Sequence, residues 1–544
     1  MVPKPKAREE SASSSSSLYP GANASILEIK KTAPVTATDI AALEDVSRDL
    51  RSDPAARTAF LATFTAEEEK AIMKKVDKRF FVLIGVMFMV KNIDFGNISI
   101  IKTMQAGLPS NIITELNMTP DDYNWVATIQ GQHIPYIIFE LPSNLVLKYM
   151  TPHAWESRIF LTWGIVTAFC GAVNTKSQIL ALRFIVGMFE AGMFPGVITT
   201  LSYWYRTDEV GRPLLWYFSI SNLSTIVGSL ICYGTSFMDG MQGLSGWRWT
   251  FILEGVATVL LAGVIFWVLP DFPKSPRSSS WLTPREQQFL EARLPASAPA
   301  TADKSWDRKE AWTAFKAPTT WAFLLDQTLM NLATYALSWY MPTIIASLGF
   351  AGLPNSLLLN IPPAAAGILA MLLCVLVTSR AWAPRPLMCV FTVLGTIICF
   401  VLFFSVTGKA GLYVACVLSQ FFSSSYYVPY WSWRTSVMFG STGASFAIGL
   451  QSSVAQLGAA IGPQFFQSRW AHNRYRNSFF IGFAITLAAL ATNAWTWWLT
   501  RDLERRVIEV RKESLRARRE GRTYEGHIDI DVSGGKKLHT GSRL

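Results

Sequence analysis

Outside three segments, residues 1–79, 271–318 and 501–544, charged side chains almost vanish: 28 remain on 373 residues. The three segments hold 33 of the 49 Lys+Arg and 26 of the 38 Asp+Glu. Soluble proteins carry about a quarter charged residues and cannot clothe their surface with so few. Residues 80–500 read instead as a succession of apolar runs. Twelve membrane spans of ~20 residues need about 240 residues, and this region supplies 421. The charge map therefore excludes a soluble enzyme, a disulfide-built secreted domain and a disordered chain. What remains is an all-α membrane protein that crosses the bilayer many times.

The expected spans are about 80–101, 123–149, 156–174, 178–203, 213–238 and 247–269, then about 319–347, 353–378, 385–407, 411–433, 445–467 and 478–500. A Pro/Ser-rich polar stretch separates the two sets. The expected organisation is a disordered tail (1–79), a six-helix bundle (80–270), a linker (271–318), a second six-helix bundle (319–500) and a basic tail (501–544). Lys70, Lys74, Lys75, Lys78 and Arg79 precede the first span, and Arg501, Arg505, Arg506, Arg511 and Lys512 follow the last. Basic residues beside spans mark the cytoplasmic side, so both tails and the linker are placed there. Residues 468–477 run against this rule, with Arg469, Arg474 and Arg476 in a loop assigned to the outside. Asn117-Met118-Thr119 is a glycosylation acceptor triplet in another loop assigned outside.

The formal net charge of +11 sits in the tails and linker, next to the bilayer. It gives no nucleic-acid signature, because no aromatic-and-basic recognition module accompanies it. The six cysteines fall in or beside apolar runs without a Cys-x-x-Cys pair, as small buried hydrophobes do. The five histidines show no metal-ligand spacing. No nucleophile–base pair and no phosphate-binding lysine loop is legible, so neither an enzyme nor an ATP-driven pump is expected, and no cofactor.

Two sets of six spans joined by one long loop is the layout of repeat-built secondary transporters, with a substrate site at the midplane between rocking bundles. Longer stretches carry a family resemblance. They include FELPSNLVLKYMTPHAWESRIFLTWG (139–164), LRFIVGMFEAGMFPGVITTLSYWY (182–205), GWRWTFILEG (246–255) and LPDFPKSPRSSSWLT (269–283). The second half adds YALSWYMPTIIASLGF (335–350), NSLLLNIPP (355–363), IGPQFF (461–466) and NRY (473–475). The chain resembles the major facilitator superfamily, and within it the anion:cation symporter group, specifically fungal permeases for allantoate, nicotinate, pantothenate and other organic acids. The resemblance implies the major facilitator fold, with 12 transmembrane helices in two six-helix bundles.

The chain departs from that pattern in three places. The family's first span usually carries Asp-Arg and an Asn just before Gly-Asn. Here the register set by Gly96-Asn97 gives Lys91-Asn92-Ile93-Asp94. The Lys-Arg pair usual between spans ten and eleven is absent from MFGSTGASF (438–446), and the Asp usual between spans eight and nine is absent from TSRAWAPRP (378–386).

Charges inside a span cost at least ~2.5 kcal/mol and normally face a partner or a wet cavity. Arg183 and Glu190 are seven apart and share a helix face. A count of ~1.5 Å per residue from 178 places Glu190 some 18 Å deep. In related galactonate transporters an Arg and a Glu in this pattern are implied to bind substrate and take up a proton. The same roles are expected of Arg183 and Glu190, with a structural ion pair as the alternative. Lys91 and Asp94 are three apart on the first span. Lys91 would hold an anion and Asp94 would carry a proton, unless the two satisfy each other. Asn92, Gln130, His133 and Tyr136 extend the polar wall of the first half. Asn331 and Tyr335 (i, i+4) share a face of the seventh span, while Asp326, nine residues before Tyr335, points the other way. Tyr426, Tyr427, Tyr430, Trp431 and Trp433 form an aromatic cluster on the tenth span, either a wall for a planar or apolar ligand, with Tyr427, Tyr430 and Trp431 as its candidates, or packing and interface anchors. Arg434, at the inner end of that span, snorkels or gates. Gln451 and Gln456 are weaker candidates on the eleventh.

The functional expectation is a secondary active transporter of a small organic anion, proton-coupled, monomeric and in the plasma membrane. An exporter of a fungal secondary metabolite is the main alternative. A transporter-like receptor is a minor one.

Overall fold

The computed structural model describes residues 54–125, 133–147, 150–205, 211–294, 308–350, 352, 354–437 and 441–519. We number the spanning helices α1 (Ala66–Ile101), α2 (Ile134–Leu147), α3 (Pro152–Phe169) and α4 (Lys176–Glu190). They continue with α5 (Gly211–Ser236), α6 (Gly246–Val268), α7 (Pro318–Leu348) and α8 (Ile361–Ser379). The last four are α9 (Arg385–Ser405), α10 (Lys409–Thr435), α11 (Ser441–Ile461) and α12 (Arg476–Arg519). Five stretches are individually long and apolar enough to cross a bilayer among the described residues: Glu67–Ile101, Gly246–Val268, Asn355–Ser379, Arg385–Ser405 and Arg476–Glu513. α7, α10 and α11 are not among them, because they spend Ser, Thr, Asn and Gln on a shared interior.

Helix ends lie further out than hydropathy alone places them. Thr65 caps α1 through a reciprocal pair with Glu68, and Glu67, Glu68 and Glu69 fill the first turn where the helix dipole favours acids. The helix therefore starts fourteen residues before the apolar run. A short helix, Pro54–Leu61, precedes it. Residues 54–61 and 66–79 are thus helical where a disordered tail was expected, because Phe60, Ile72 and Val76 bury an apolar stripe. Residues 1–53 lie outside the described residues. The linker also holds structure: Pro284–Ala292 lies against the N-terminal helix, with Phe64 and Phe289 ring centroids 4.5 Å apart and Lys75 Nζ 2.6 Å from Glu286. Arg308–Lys316 packs instead on α11. α12 runs on to Arg519, so the tail assigned from 501 begins as helix.

Each half is knit by its own contacts. In the first, α3 packs on α6 and α1 on α5; in the second, α7 packs on α11 and α12, and α10 on α8 and α9. The α3–α6 contact is a glycine seam. A Cβ on Gly255 would stand 2.4 Å from Ala168 N and 2.6 Å from Gly164 O, the close approach that small residues give membrane helices.

The GWRW segment is tied down by the loop before α2. Arg248 Nη2 lies 2.6 Å from Glu115 Oε1, and its guanidinium also reaches the Gly171 carbonyl (3.1 Å) and Asn174 Oδ1 (3.1 Å). Trp247 Nε1 and Ser245 Oγ donate to the other oxygen of Glu115. Burial of Glu115 opposes its ionisation. The hydrogen bonds from Ser245, Arg248 and Trp247, with the Arg248 charge, outweigh that and hold its carboxyl below the ordinary value.

The halves meet along α5 and α8 and around the ends of α1 and α7. Trp339 Nε1 donates to Asn124 Oδ1 at 2.8 Å, Ser468 N donates to Asp121 Oδ1 at 3.0 Å, and Lys102 Nζ sits 5.2 Å over the Trp339 ring. Trp339 and Leu357 join a core cluster otherwise built from the first half.

Candidate functional site

A cavity of about 320 Å³ lies between the halves. α1, α2, α5 and the short helix Met193–Ser202 line one side; α7, α8, α10 and α11 line the other. Lys91 is the one charged side chain among the described residues that line it. The rest of the wall is hydroxyls, amides and aromatic rings.

α1 sets the first-half wall through three residues spaced one turn apart. Lys91, Asp94 and Asn97 each meet a partner on a neighbouring helix. Lys91 Nζ lies 3.4 Å from Glu190 Oε1, whose side chain is 2% exposed. Arg183 Nη1 lies 3.1 Å from Asp94 Oδ2, and Trp163 Nε1 donates to the same oxygen at 3.3 Å. Asn97 Nδ2 donates to Glu254 of α6. Because α4 runs antiparallel to α1, the Arg183–Glu190 order matches Asp94–Lys91 reversed, and opposite charges face each other on both rungs. Lys91 and Asp94 therefore do not pair with one another. The Tyr136 ring centroid is 5.1 Å from Lys91 Nζ, so the ammonium rests between a carboxylate and an aromatic face.

α4 ends at Glu190. After a turn at Ala191–Gly192 a second helix, Met193–Ser202, carries the chain on. The break is packed tight: a Cβ at Gly192 would meet Ser143 Oγ at 2.1 Å and Trp155 at 2.8 Å.

The sequence-predicted residues divide into three groups. Lys91, Asn92, Tyr136, Asn331, Tyr335, Tyr427 and Trp431 line the cavity. Arg183, Asp94, His133 and Tyr430 are buried and are not among its lining residues, and Glu190 touches it through Lys91. Gln130 lies outside the described residues. The Arg183 side chain is 2% exposed, and its guanidinium stacks 4.7 Å over Phe251. In this conformation it is a helix-tying group. His133 is 5% exposed and packs edge-on to Phe95, which does line the cavity.

In the second half, Asn331 is used by the fold as much as by the cavity. Its Nδ2 donates to Ala455 O at 3.1 Å, and its Oδ1 accepts from Tyr427 OH at 2.7 Å. Asp326 points away, as the helical count predicts. It is fully buried and accepts from Tyr426 OH (2.9 Å) and Asn493 Nδ2 (3.1 Å). Arg434 does not snorkel: it is 1% exposed and donates to Gln451.

Sequence reasoning missed Ser99, Tyr217, Ser224, Thr225, Ser338 and Trp339, all lining residues. Their signal was available in spacing. Ser338 follows Asn331 by seven and Tyr217 precedes Ser224 by seven, two turns along one face. Among the described residues no group of three or more His, Cys, Asp or Glu could hold a metal.

Two helical halves closed around a polar-walled cavity, with five stretches among the described residues apolar enough to span a bilayer, define a multi-pass membrane protein of transporter architecture. The chain belongs to the Major Facilitator Superfamily, whose sequence model matches residues 87–463. That family consists of transporters, not enzymes. Among similar proteins, the MFS transporter prlL of a fungal species is 29% identical over 57% of this chain and 61% of its own length. The MFS-type transporter cnsO of Penicillium expansum is 24% identical over 62% of each. The chain thus spans about six-tenths of the length of these curated relatives. A protein of Agrobacterium vitis with an inferred tartrate-transporter assignment is 27% identical over 73% of this chain and 87% of its own. A bacterial homologue of the human lysosomal transporter Spinster, solved inward-facing and occupied, superposes with a TM-score of 0.56 at 14% identity. It covers 76% of this chain and 96% of that one, a likeness of fold.

Proposed function

We propose that the chain is a proton-coupled transporter of small organic anions that works by alternating access. The observation that carries this is the Lys91–Glu190 pair, a cation on the cavity wall held 3.4 Å from a buried carboxylate. A carboxylate entering the cavity competes with Glu190 for Lys91. A proton on Glu190 releases the ammonium to the entering anion, so proton and anion bind together. For a monoanion the load is then electrically balanced, and for a dianion its charge is reduced, which lowers the cost of closing dry helices over it. The two halves rock around the site. The assignment of an Agrobacterium vitis relative to tartrate, a small hydroxylated dianion, supports this substrate class. So does a wall rich in hydroxyls and amides. The finer placement is the anion:cation symporter group, with both termini cytoplasmic in the plasma membrane and a monomer as the working unit.

A second reading, export of a larger aromatic metabolite, is favoured by the rings of Phe95, Phe194, Tyr217, Trp339, Tyr427 and Trp431 on the cavity wall. Proteoliposomes with an imposed pH gradient and a panel of labelled carboxylates separate the two. Gradient-driven uptake of a carboxylate, lost in Glu190→Gln, supports anion symport. No carboxylate uptake, together with efflux of aromatic compounds from expressing cells, overturns it in favour of export.

A further inference from the structure

A buried arginine without a carboxylate partner sits behind the second-half wall. Arg434 is 1% exposed, and among the described residues no acid stands within ion-pair distance of it. Its Nε donates to Gln451 Oε1 at 2.7 Å. Gln451, fully buried, donates through Nε2 to Gln327 Oε1 at 2.5 Å and to Tyr430 OH at 2.9 Å. Tyr430 OH in turn donates to the Phe323 carbonyl at 2.5 Å.

The direction of every bond in this chain is forced from its ends. A guanidinium has only donors, so Gln451 must present its carbonyl oxygen to Arg434. A backbone carbonyl has only lone pairs, so Tyr430 must spend its hydrogen on Phe323 and accept from Gln451. Both hydrogens of the Gln451 amide are thereby assigned, and the second ends on the Gln327 oxygen. Gln327 lines the cavity. With its oxygen turned to Gln451 behind the wall, its NH2 group is the end left for the cavity side.

We infer that Arg434, acting through Gln451, fixes Gln327 as a hydrogen-bond donor into the cavity, making a second pole that recognises an acceptor oxygen on the substrate. Lys91 on the first half and Gln327 on the second then hold opposite ends of one ligand. The substrate class this selects is an acid bearing a second carboxylate or carbonyl, in preference to a simple fatty acid. The inference rests on the organic-anion reading above and deepens it. Gln327 is the binding residue; Gln451 and Arg434 are positioning residues.

The test uses two acids of equal charge and similar length, levulinate, whose second oxygen only accepts, and valerate, which has none. Dissociation constants are measured on the purified full-length protein from ligand-dependent thermal stabilisation. The wild type is expected to prefer levulinate by about fivefold, the worth of one neutral hydrogen bond. Gln327→Leu brings that ratio to one. Gln451→Glu keeps the contact with Arg434 but can only accept, so it turns the Gln327 amide over and places its oxygen in the cavity. That variant reverses the preference while valerate binding stays near wild type. Arg434→Lys, still a donor, retains the levulinate preference. An unchanged ratio in both Gln327→Leu and Gln451→Glu, with wild type binding both acids, overturns this inference alone. Failure of wild type to bind either acid overturns the organic-anion reading and this inference with it.

Discussion

Arg183 and Asp94 form a closed pair between α4 and α1, with Nη1 3.1 Å from Oδ2 and both side chains nearly inaccessible. Removing one partner strands the other charge in a dry interior, which costs about 3–5 kcal/mol, whereas replacing both by apolar groups costs much less. Arg183→Leu and Asp94→Leu should each unfold at markedly lower denaturant than wild type, and the double variant should recover most of the loss. A double-mutant cycle on equilibrium unfolding checks this. Purely additive single losses would show that the pair does not act as a unit.

The neighbouring rung behaves differently because it borders the cavity. Lys91→Met should leave the fold intact and lower carboxylate transport by about 30-fold or more, the scale of losing a desolvated charge contact to a ligand. Lys91→Arg keeps the charge and should retain part of the rate. Initial uptake rates in proteoliposomes measure both. Wild-type transport by Lys91→Met would remove the anion from this site.

Glu115 gives the scaffold a pH dependence with a definite sign. Its folded-state acidity is held below the ordinary value by Ser245, Arg248 and Trp247. The stability it adds is complete above the unfolded value of about 4.3 and is lost as pH falls through the lower folded value. The melting temperature gap between wild type and Glu115→Gln should be widest near neutrality and shrink below pH ~4. A gap constant with pH would sever the carboxylate from this role.

The seal at the ends of α1 and α7 hangs on few bonds. Trp339→Phe keeps the stacking against Tyr123 but loses the donor to Asn124. One such bond is worth about 1 kcal/mol, so the population open on that face should rise about fivefold. Spin-label distances across the two halves report it. An unmoved distribution would mean other contacts hold the seal.

Gly255→Ala tests the α3–α6 seam. The added methyl meets backbone atoms of Ala168 and Gly164 rather than flexible side chains. Overpacking of this kind costs about 1–3 kcal/mol, visible as a lower melting temperature without a matching change in substrate affinity.

The six–loop–six plan was legible because charge placement across a bilayer is a one-dimensional signal. So were the lining positions Lys91, Asn92, Tyr136, Asn331, Tyr335, Tyr427 and Trp431, where a polar or aromatic side chain stands out within a span. Pairing between helices was not legible. Lys91 and Asp94 look like each other's neighbours until antiparallel α4 supplies a better partner to each. Tyr430 lies only three residues after Tyr427, yet that 60° of rotation turns it from the cavity to the Phe323 carbonyl. Serines such as Ser99 and Ser224 passed unnoticed because one hydroxyl barely alters the hydropathy of a span. The helical segments within residues 54–79 were hidden for the opposite reason. Charged Glu and Lys side chains masked a stripe of only a few buried apolar residues.

α1 and α12 are much longer than a membrane requires. Their 36 and 44 residues make rods of about 54 and 66 Å, against a hydrocarbon thickness of ~30 Å. One belongs to each half, and each projects beyond the bilayer from the face where α1 begins and α12 ends. They are pointers on a dial. A tilt of about 10° between the halves, carried along a ~25 Å overhang, displaces a rod's tip by ~4 Å. Any macromolecule gripping both rods at once would therefore hold the two halves at one relative angle from outside the lipid.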